Sequence, residues 1–177
     1  MAITPDTKNW TWVLERPCPE CGYDAAAVAV REIPGVIRRN VAAWPARLAR
    51  PDVAVRPDDS TWSPLEYGAH VRDVFRVFQR RLALMLAEDG VRFENWDQDE
   101  TAVADRYNEQ DPRTVSEELV AEGERMAVAV ESVPDDALER TGFRSDGSAF
   151  TVTTLLQYFS HDPVHHLWDV TGEQTAS

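Results

Sequence analysis

The chain has 177 residues, 43% of them hydrophobic, and a formal net charge of −13. That length suits one domain with a substantial core, and no apolar run approaches the ~18–20 residues of a membrane span. The charge argues against nucleic acid as a partner, because phosphate backbones are bound by Lys and Arg, and equally against anionic lipid surfaces.

The opening Met-Ala-Ile-Thr-Pro-Asp has neither a basic flank nor an apolar core, so no signal peptide is expected and the cytoplasm is the default. Lys8 is the sole lysine among 18 basic residues. With abundant alanine and valine, that bias is the mark of a GC-rich genome. Residues 1–31 are assigned as an irregular arm, and 32–177 as the main domain. The arm carries Trp10, Trp12 and Arg16-Pro-Cys18-Pro-Glu-Cys21-Gly22. Cys-x-x-Cys followed by Gly resembles half of a zinc ribbon or a redox pair. No second cysteine pair exists, so the thiols either recruit histidines, recruit a second subunit, or stand reduced at the surface. The last is the default for an isolated motif. The tryptophans are expected to pack the arm against the domain.

A first helix is predicted over Glu32–Arg50, with Pro34 in its first turn and Ile33, Val36, Ile37, Val41, Trp44 and Leu48 inward. Pro45 interrupts it. Pro51 and Pro57 punctuate the connection that follows. Ser63-Pro64-Leu65-Glu66 then supplies an N-cap, a proline at the first helical position and a capping-box glutamate. The second helix keeps an apolar stripe, Val71, Val74, Phe75, Phe78, Leu82, Met85 and Leu86, to about Ala87. His70 lies beside that stripe and can look inward. Arg72, Arg76, Arg80 and Arg81 are read as a mostly solvated face.

Residues 89–112 are acidic and non-periodic, the length of a crossover in a helical bundle. Asp97, Asp99 and Glu100 are read there as solvated, with a site mouth as the alternative. A third helix is predicted over Arg113–Ser132, with Val115, Leu119, Met126, Ala127 and Val130 inward. Asp146-Gly147 signals a hairpin-type turn, leading into the last helix at Thr151 or Thr153.

Three of the four histidines, His161, His165 and His166, lie on that last helix. Imidazole is the commonest protein metal ligand and titrates near neutrality. Val152, Leu155, Leu156, Phe159 and Val170 form the apolar stripe. Continued at about 100° per residue, the stripe reaches Asp162, Pro163 and His166. His161 and His165 continue a second stripe through Thr154 and Tyr158. Two registers therefore compete for the i, i+4 ligand pair that one helix offers. Periodicity favours Asp162 with His166, pointing into the bundle. His161 with His165 would point to its flank, and Pro163 is expected to bend the helix between them.

An all-α chain of four helices, Trp62 eight residues before His70, and a histidine-rich last helix resemble the DinB/YfiT-like superfamily over roughly residues 32–172. The resemblance implies a four-helix bundle with a long crossover between its second and third helices. The family pattern on the last helix falls on Asp162-Pro-Val-His165-His166-Leu-Trp-Asp169-Val170. It implies Asp162 and His166 as ligands to a divalent metal, zinc or nickel, with His70 as the third. Many members carry histidine where this chain has Asp162. Sliding the pair back one residue gives His70, His161 and His165, the alternative set. Branches of the superfamily include metal-dependent thiol S-transferases and mycothiol-dependent maleylpyruvate isomerases.

Either ligand set leaves open positions on the metal, where a thiol would be deprotonated and become a nucleophile. The expected function is a metal-dependent transferase or isomerase that joins a low-molecular-weight thiol to an electrophilic small molecule. Mycothiol is the expected cosubstrate if the GC-rich, actinobacterial reading holds. Asp169 and His165 are assigned catalytic roles, orienting ligands or carrying protons. A homodimer is an expected assembly. The alternative is a non-catalytic metal- or ligand-binding stress or scaffold protein, its histidines merely capping the bundle with hydrogen bonds.

Overall fold

The computed structural model describes residues 9–174. The opening hexapeptide, Lys8 and the last three residues lie outside them. The elements are α1 (Ile33–Leu48), α2 (Pro64–Ala87), β1 (Val91–Phe93), α3 (Gln98–Ala104), α4 (Pro112–Glu131), β2 (Thr141–Arg144), β3 (Ala149–Thr151) and α5 (Val152–Thr171). The bundle is built from α1, α2, α4 and α5. Each of α1 and α2 packs mainly on α4 and α5, so the chain visits the corners of the bundle out of cyclic order. No helix among the described residues is long and apolar enough to cross a membrane.

Local chemistry sets these boundaries. Ser63 caps α2 by accepting from the Glu66 amide at 3.3 Å, and Glu66 accepts from the Ser63 amide at 2.9 Å. Arg56 pairs with the same buried glutamate. Thr151 caps α5 by accepting from the Thr154 amide, and Gly172 ends it in a left-handed turn at φ 68°, a region glycine enters without steric cost. The shared core is the predicted stripes meeting: Ile37, Val41 and Trp44 from α1, Phe75 and Leu82 from α2, Leu119 and Met126 from α4, Leu155 and Phe159 from α5.

Four expectations need correction. Residues 89–112 are not loop throughout. They contain β1, the short helix α3 capped by Asp97, and a 3-10 turn at Tyr107–Glu109. These pieces are too short to show a period, so the sequence pattern could not reveal them. Likewise, β1 pairs in parallel with β2, and β2 antiparallel with β3 around Gly147 at φ 95°. A small three-stranded sheet therefore closes one end of the helical bundle.

The third correction concerns the arginines of α2. Arg72 and Arg81 are each only 6% exposed. Arg72 bonds Asp73 and reaches Gln110 and Glu118 near the start of α4. Arg76, half-buried, joins Asp73, Glu118 and Glu122. Arg81 donates to the Glu94 carbonyl at 3.1 Å and lies over Phe78 and Phe93. Among these side chains, Arg80 is the exposed one. Acidic residues of α4 and the region after α2 supply partners that no periodicity within α2 could announce.

The arm does not stand apart from the bundle. It runs through 3-10 turns at Trp10–Leu14, Ala25–Ala27 and Val30–Glu32 and packs along α5. Val13, Cys18, Cys21 and Ala25 are all but inaccessible. Tyr23 donates to the Ser160 hydroxyl, and Gln157 donates to the Ala26 and Val28 carbonyls. The default reading of the cysteines as surface thiols is thereby overturned.

Candidate metal centre

The i, i+4 geometry of α5 puts Asp162 and His166 on one side of the helix, facing His70 on α2. His70 Nε2 lies 3.4 Å from Asp162 Oδ1, and His166 Nε2 lies 3.6 Å from the same oxygen. One donor atom from each of the three residues falls within 4.8 Å of the other two. Asn40 helps to fix this stretch of α5. It donates from Nδ2 to the Pro163 carbonyl at 2.7 Å while accepting from the Trp44 indole at 3.1 Å. Pro163 lies within α5 rather than ending it.

Aromatic rings fix the imidazoles. His70 is wholly inaccessible, stacked on Trp96 with ring centroids 5.4 Å apart, and tilted against Trp62 at 5.3 Å. His166 meets the edge of His70 at 4.7 Å and lies against Tyr67 at 5.2 Å. Behind it, His166 Nδ1 is 2.8 Å from Asp169 Oδ2, the carboxylate–imidazole contact that orients a ligating histidine and raises its basicity.

One feature of this cluster cannot be explained by hydrogen bonding alone. His70 Nδ1, His70 Nε2 and Asp162 Oδ1 are buried and make no hydrogen bond among the described residues. Buried polar atoms are nearly always satisfied, because each orphan costs about 1–3 kcal/mol. Each residue can offer one atom to a metal, and His70 Nε2, Asp162 Oδ1 and His166 Nε2, the three that face one another, are a donor set suited to a divalent transition metal. Burial lowers the His70 pKa, leaving the ring neutral with a lone pair to offer. Burial opposes the charge on Asp162, yet His166 and His70 hold its carboxyl down to about 2. The residues fit a metal.

A cleft of about 410 Å³ opens onto Asp162, walled by Trp10, Phe78, Arg81, Trp96, Arg144 and Tyr158. Of the acidic stretch, Asp97 and Asp99 stand along it and Glu100 does not, while Asp97 and Glu100 are exposed, as the solvated reading expects. Arg144 is paired with Asp146 at 2.8 Å. Arg81 makes no ion pair among the described residues, and burial together with the charge of Arg144 lowers its pKa to about 10. Sequence reasoning missed Arg81. Its place three residues after Phe78 and one before Leu82, inside the apolar stripe, was the available signal. A larger cavity, about 610 Å³, lies between the arm, α1 and α5, and its lining includes none of these ligands.

The other predicted residues fall elsewhere. His161 and His165 are buried on the arm side of α5, next to Cys21 and Cys18. No metal-sized group among the described residues joins them to His70. The flank to which they were assigned is a second buried face, because the arm covers it. Burial lowers the pKa of both, His161 to about 4. It also pushes the Cys21 thiol up to about 12. His165, assigned a catalytic role, has Nε2 3.4 Å from Glu20 and 3.9 Å from Asp169. Its ring is 5.8 Å from that of His166.

Comparison with curated proteins finds no match. Among solved structures, the chain is similar to YfiT from Bacillus subtilis, described as a probable metal-dependent hydrolase with an unusual four-helix bundle topology. The two share 15% identity with a TM-score of 0.66, over 96% of this chain and 90% of that one. At that identity the likeness speaks for the fold. The family model for the DinB superfamily matches residues 36–170, a span that runs from α1 to the end of α5 and takes in all three clustered residues. The chain belongs to the DinB superfamily.

Proposed function

We propose that this protein is a metal-dependent enzyme that joins a low-molecular-weight thiol, of the mycothiol type, to an electrophilic small molecule. The observation that carries the reading is the set of orphaned donor atoms of His70 and Asp162, with His166 beside them and Asp162 on the wall of the cleft. A divalent cation such as zinc or nickel held there would act as a Lewis acid, bringing the pKa of a thiol or water to near neutrality.

The chain's own residues do the rest. His70, Asp162 and His166 would supply three protein ligands, the number typical of a catalytic rather than a structural site. Asp169 holds the His166 ring so that Nε2 faces the cluster. Trp62 and Trp96 fix the His70 ring and exclude water from its faces. Arg81, buried and without a carboxylate partner among the described residues, offers a charge-assisted hydrogen bond to an anionic group of the electrophile. The cosubstrates would enter through the cleft between Trp96 and Arg144.

The test is direct. Tag-free protein loaded with zinc or nickel is incubated with mycothiol, bacillithiol, glutathione or cysteine and a model electrophile, and thioether product is measured by mass spectrometry. Metal-dependent product with one thiol class supports the reading. Metal-dependent hydrolysis without thiol dependence would replace the thiol by water as the nucleophile. Metal binding without turnover on any pair would favour a non-catalytic binding protein.

A further inference from the structure

The Cys18–Cys21 arm and the second histidine pair of α5 play no part in that reaction, yet they meet. The Cys18 amide donates to the Tyr23 carbonyl and the Gly22 amide to the Cys18 carbonyl, both at 2.9 Å. Gly22 sits at φ 76°, a left-handed conformation available to glycine at no steric cost. This tight knuckle turns both thiols toward α5, where they are at most 1% exposed. His161 and His165, one helical turn apart, face them. Cys18 Sγ lies 3.7 Å from His165 Nδ1, and Cys21 Sγ lies 3.7 Å from His161 Nε2. All four donor atoms are mutually within 4.8 Å. A tetrahedral zinc with bonds of about 2.3 Å to sulfur and 2.0–2.1 Å to nitrogen would have S···N edges of about 3.5 Å. The two S···N contacts of 3.7 Å are within a few tenths of an ångström of that edge, and the remaining donor pairs lie within 4.8 Å.

We propose that Cys18, Cys21, His161 and His165 form a second metal site, a closed Cys2His2 tetrahedron for zinc that clasps the N-terminal arm to α5. Four protein ligands leave no position for substrate, so the site is structural. Two thiolates and two imidazoles favour zinc over the hard cations that prefer oxygen ligands. His165 binds through Nδ1, leaving Nε2 to face Glu20, and His161 binds through Nε2. Loading converts both thiols to thiolates and releases two protons. Trp10, carried by the clasped arm, lies 5.5 Å from the His161 ring and 5.1 Å from that of His165, and also forms part of the cleft wall. The clasp thereby holds one wall of the cleft in front of Asp162. The two registers of α5, offset by one residue, serve two metals of different character.

Full-length tag-free protein, reduced and stripped of metal, is titrated with cobalt(II) and then with zinc. The expected result is two equivalents bound, with one equivalent giving thiolate-to-cobalt charge-transfer absorption and intense tetrahedral d–d bands that zinc abolishes. His70→Ala should lose one equivalent and keep the thiolate signature. The double variant Cys18→Ser/Cys21→Ser should lose the signature and keep the other equivalent. If that variant fails to fold, alkylation of the wild-type thiols decides, since zinc should suppress it. Wild-type protein without thiolate charge transfer, or thiols alkylated equally fast with and without zinc, would each overturn the clasp. None of these results depends on whether His70, Asp162 and His166 support catalysis.

Discussion

His165 and His166 are neighbours in sequence, yet their rings stand at 76° and serve different sides of α5. His166 faces Asp162 and His70 on the bundle side, with Asp169 behind it. His165 faces Cys18 and Glu20 on the arm side. Single substitutions should therefore separate two metal populations. His166→Ala should lose the metal of the His70 cluster together with any thiol-transfer activity, and keep the thiolate-bound one. His165→Ala should do the reverse for metal. Metal content of the two variants, measured side by side with circular dichroism as a folding check, decides. Loss of the His70-cluster metal in His165→Ala alone would refute the assignment.

Asp169 touches His166 without belonging to the ligand cluster. Its removal should weaken the site without abolishing it. Asp169→Asn is expected to lower metal affinity at the His70 cluster by about 10–100-fold, read by competition with a chelator of known affinity. An unchanged affinity would mean that the 2.8 Å contact does not orient the ring.

The bundle was legible where each helix carries its own evidence. Ser63 and Glu66 mark the start of α2, and the stripe from Leu155 to Phe159 marks the buried face of α5. That stripe also led to Asp162 and His166, because a phase carried forward by one turn loses little accuracy. It failed at His161 and His165, since a helix periodicity registers one apolar side and polar ligands on a second buried side look like surface. Arg72 and Arg81 failed for a related reason. Their partners, Glu118 and the Glu94 carbonyl, come from other segments, and no single-segment pattern contains them. The short strands paired through Val91 and Gly142 were equally hidden.

Arg81 is a candidate recognition residue. Its guanidinium is buried at the cleft and makes no ion pair among the described residues. Hydrogen bonds to charged groups contribute about 1.5–3 kcal/mol, so Arg81→Leu should raise the KM for a carboxylate-bearing electrophile by about 10–100-fold. A neutral electrophile should show little change. Equal effects on both substrates would assign Arg81 a purely structural role.

Gly123 on α4 tests the packing between helices. A β-carbon there would come within 2.3 Å of Val41 on α1 and 3.2 Å of Phe75 on α2. Alanine improves helix propensity by about 1 kcal/mol, but overpacking costs about 1–3 kcal/mol. Gly123→Ala should therefore be destabilising. Gly35→Ala is the control, because its β-carbon would meet only the far end of Arg39 at 3.4 Å. Thermal melts should show a lower Tm for the first variant and an equal or higher one for the second.

Asp73 links acid sensitivity to the ion network of α2. Tyr107 donates to its Oδ2 at 2.6 Å, and Arg72 and Arg76 both donate to its carboxylate. Burial alone would raise the Asp73 pKa, but the bonds from Arg72 and Tyr107 prevail and lower it below the ordinary 3.8. A carboxyl with a depressed folded-state pKa binds protons more readily when unfolded, so its contribution to stability is complete above the ordinary value. That contribution is lost as pH falls through the folded value. Removing one member of a buried charge network leaves its partners uncompensated. Asp73→Asn should then cost on the order of 3 kcal/mol at pH 7. Urea unfolding at a series of pH values should show wild type and variant separated by a constant gap down to about pH 4–5, then converging as wild-type Asp73 takes up its proton. A gap that stays constant to pH 3 would show that Asp73 acts through packing and not through its charge.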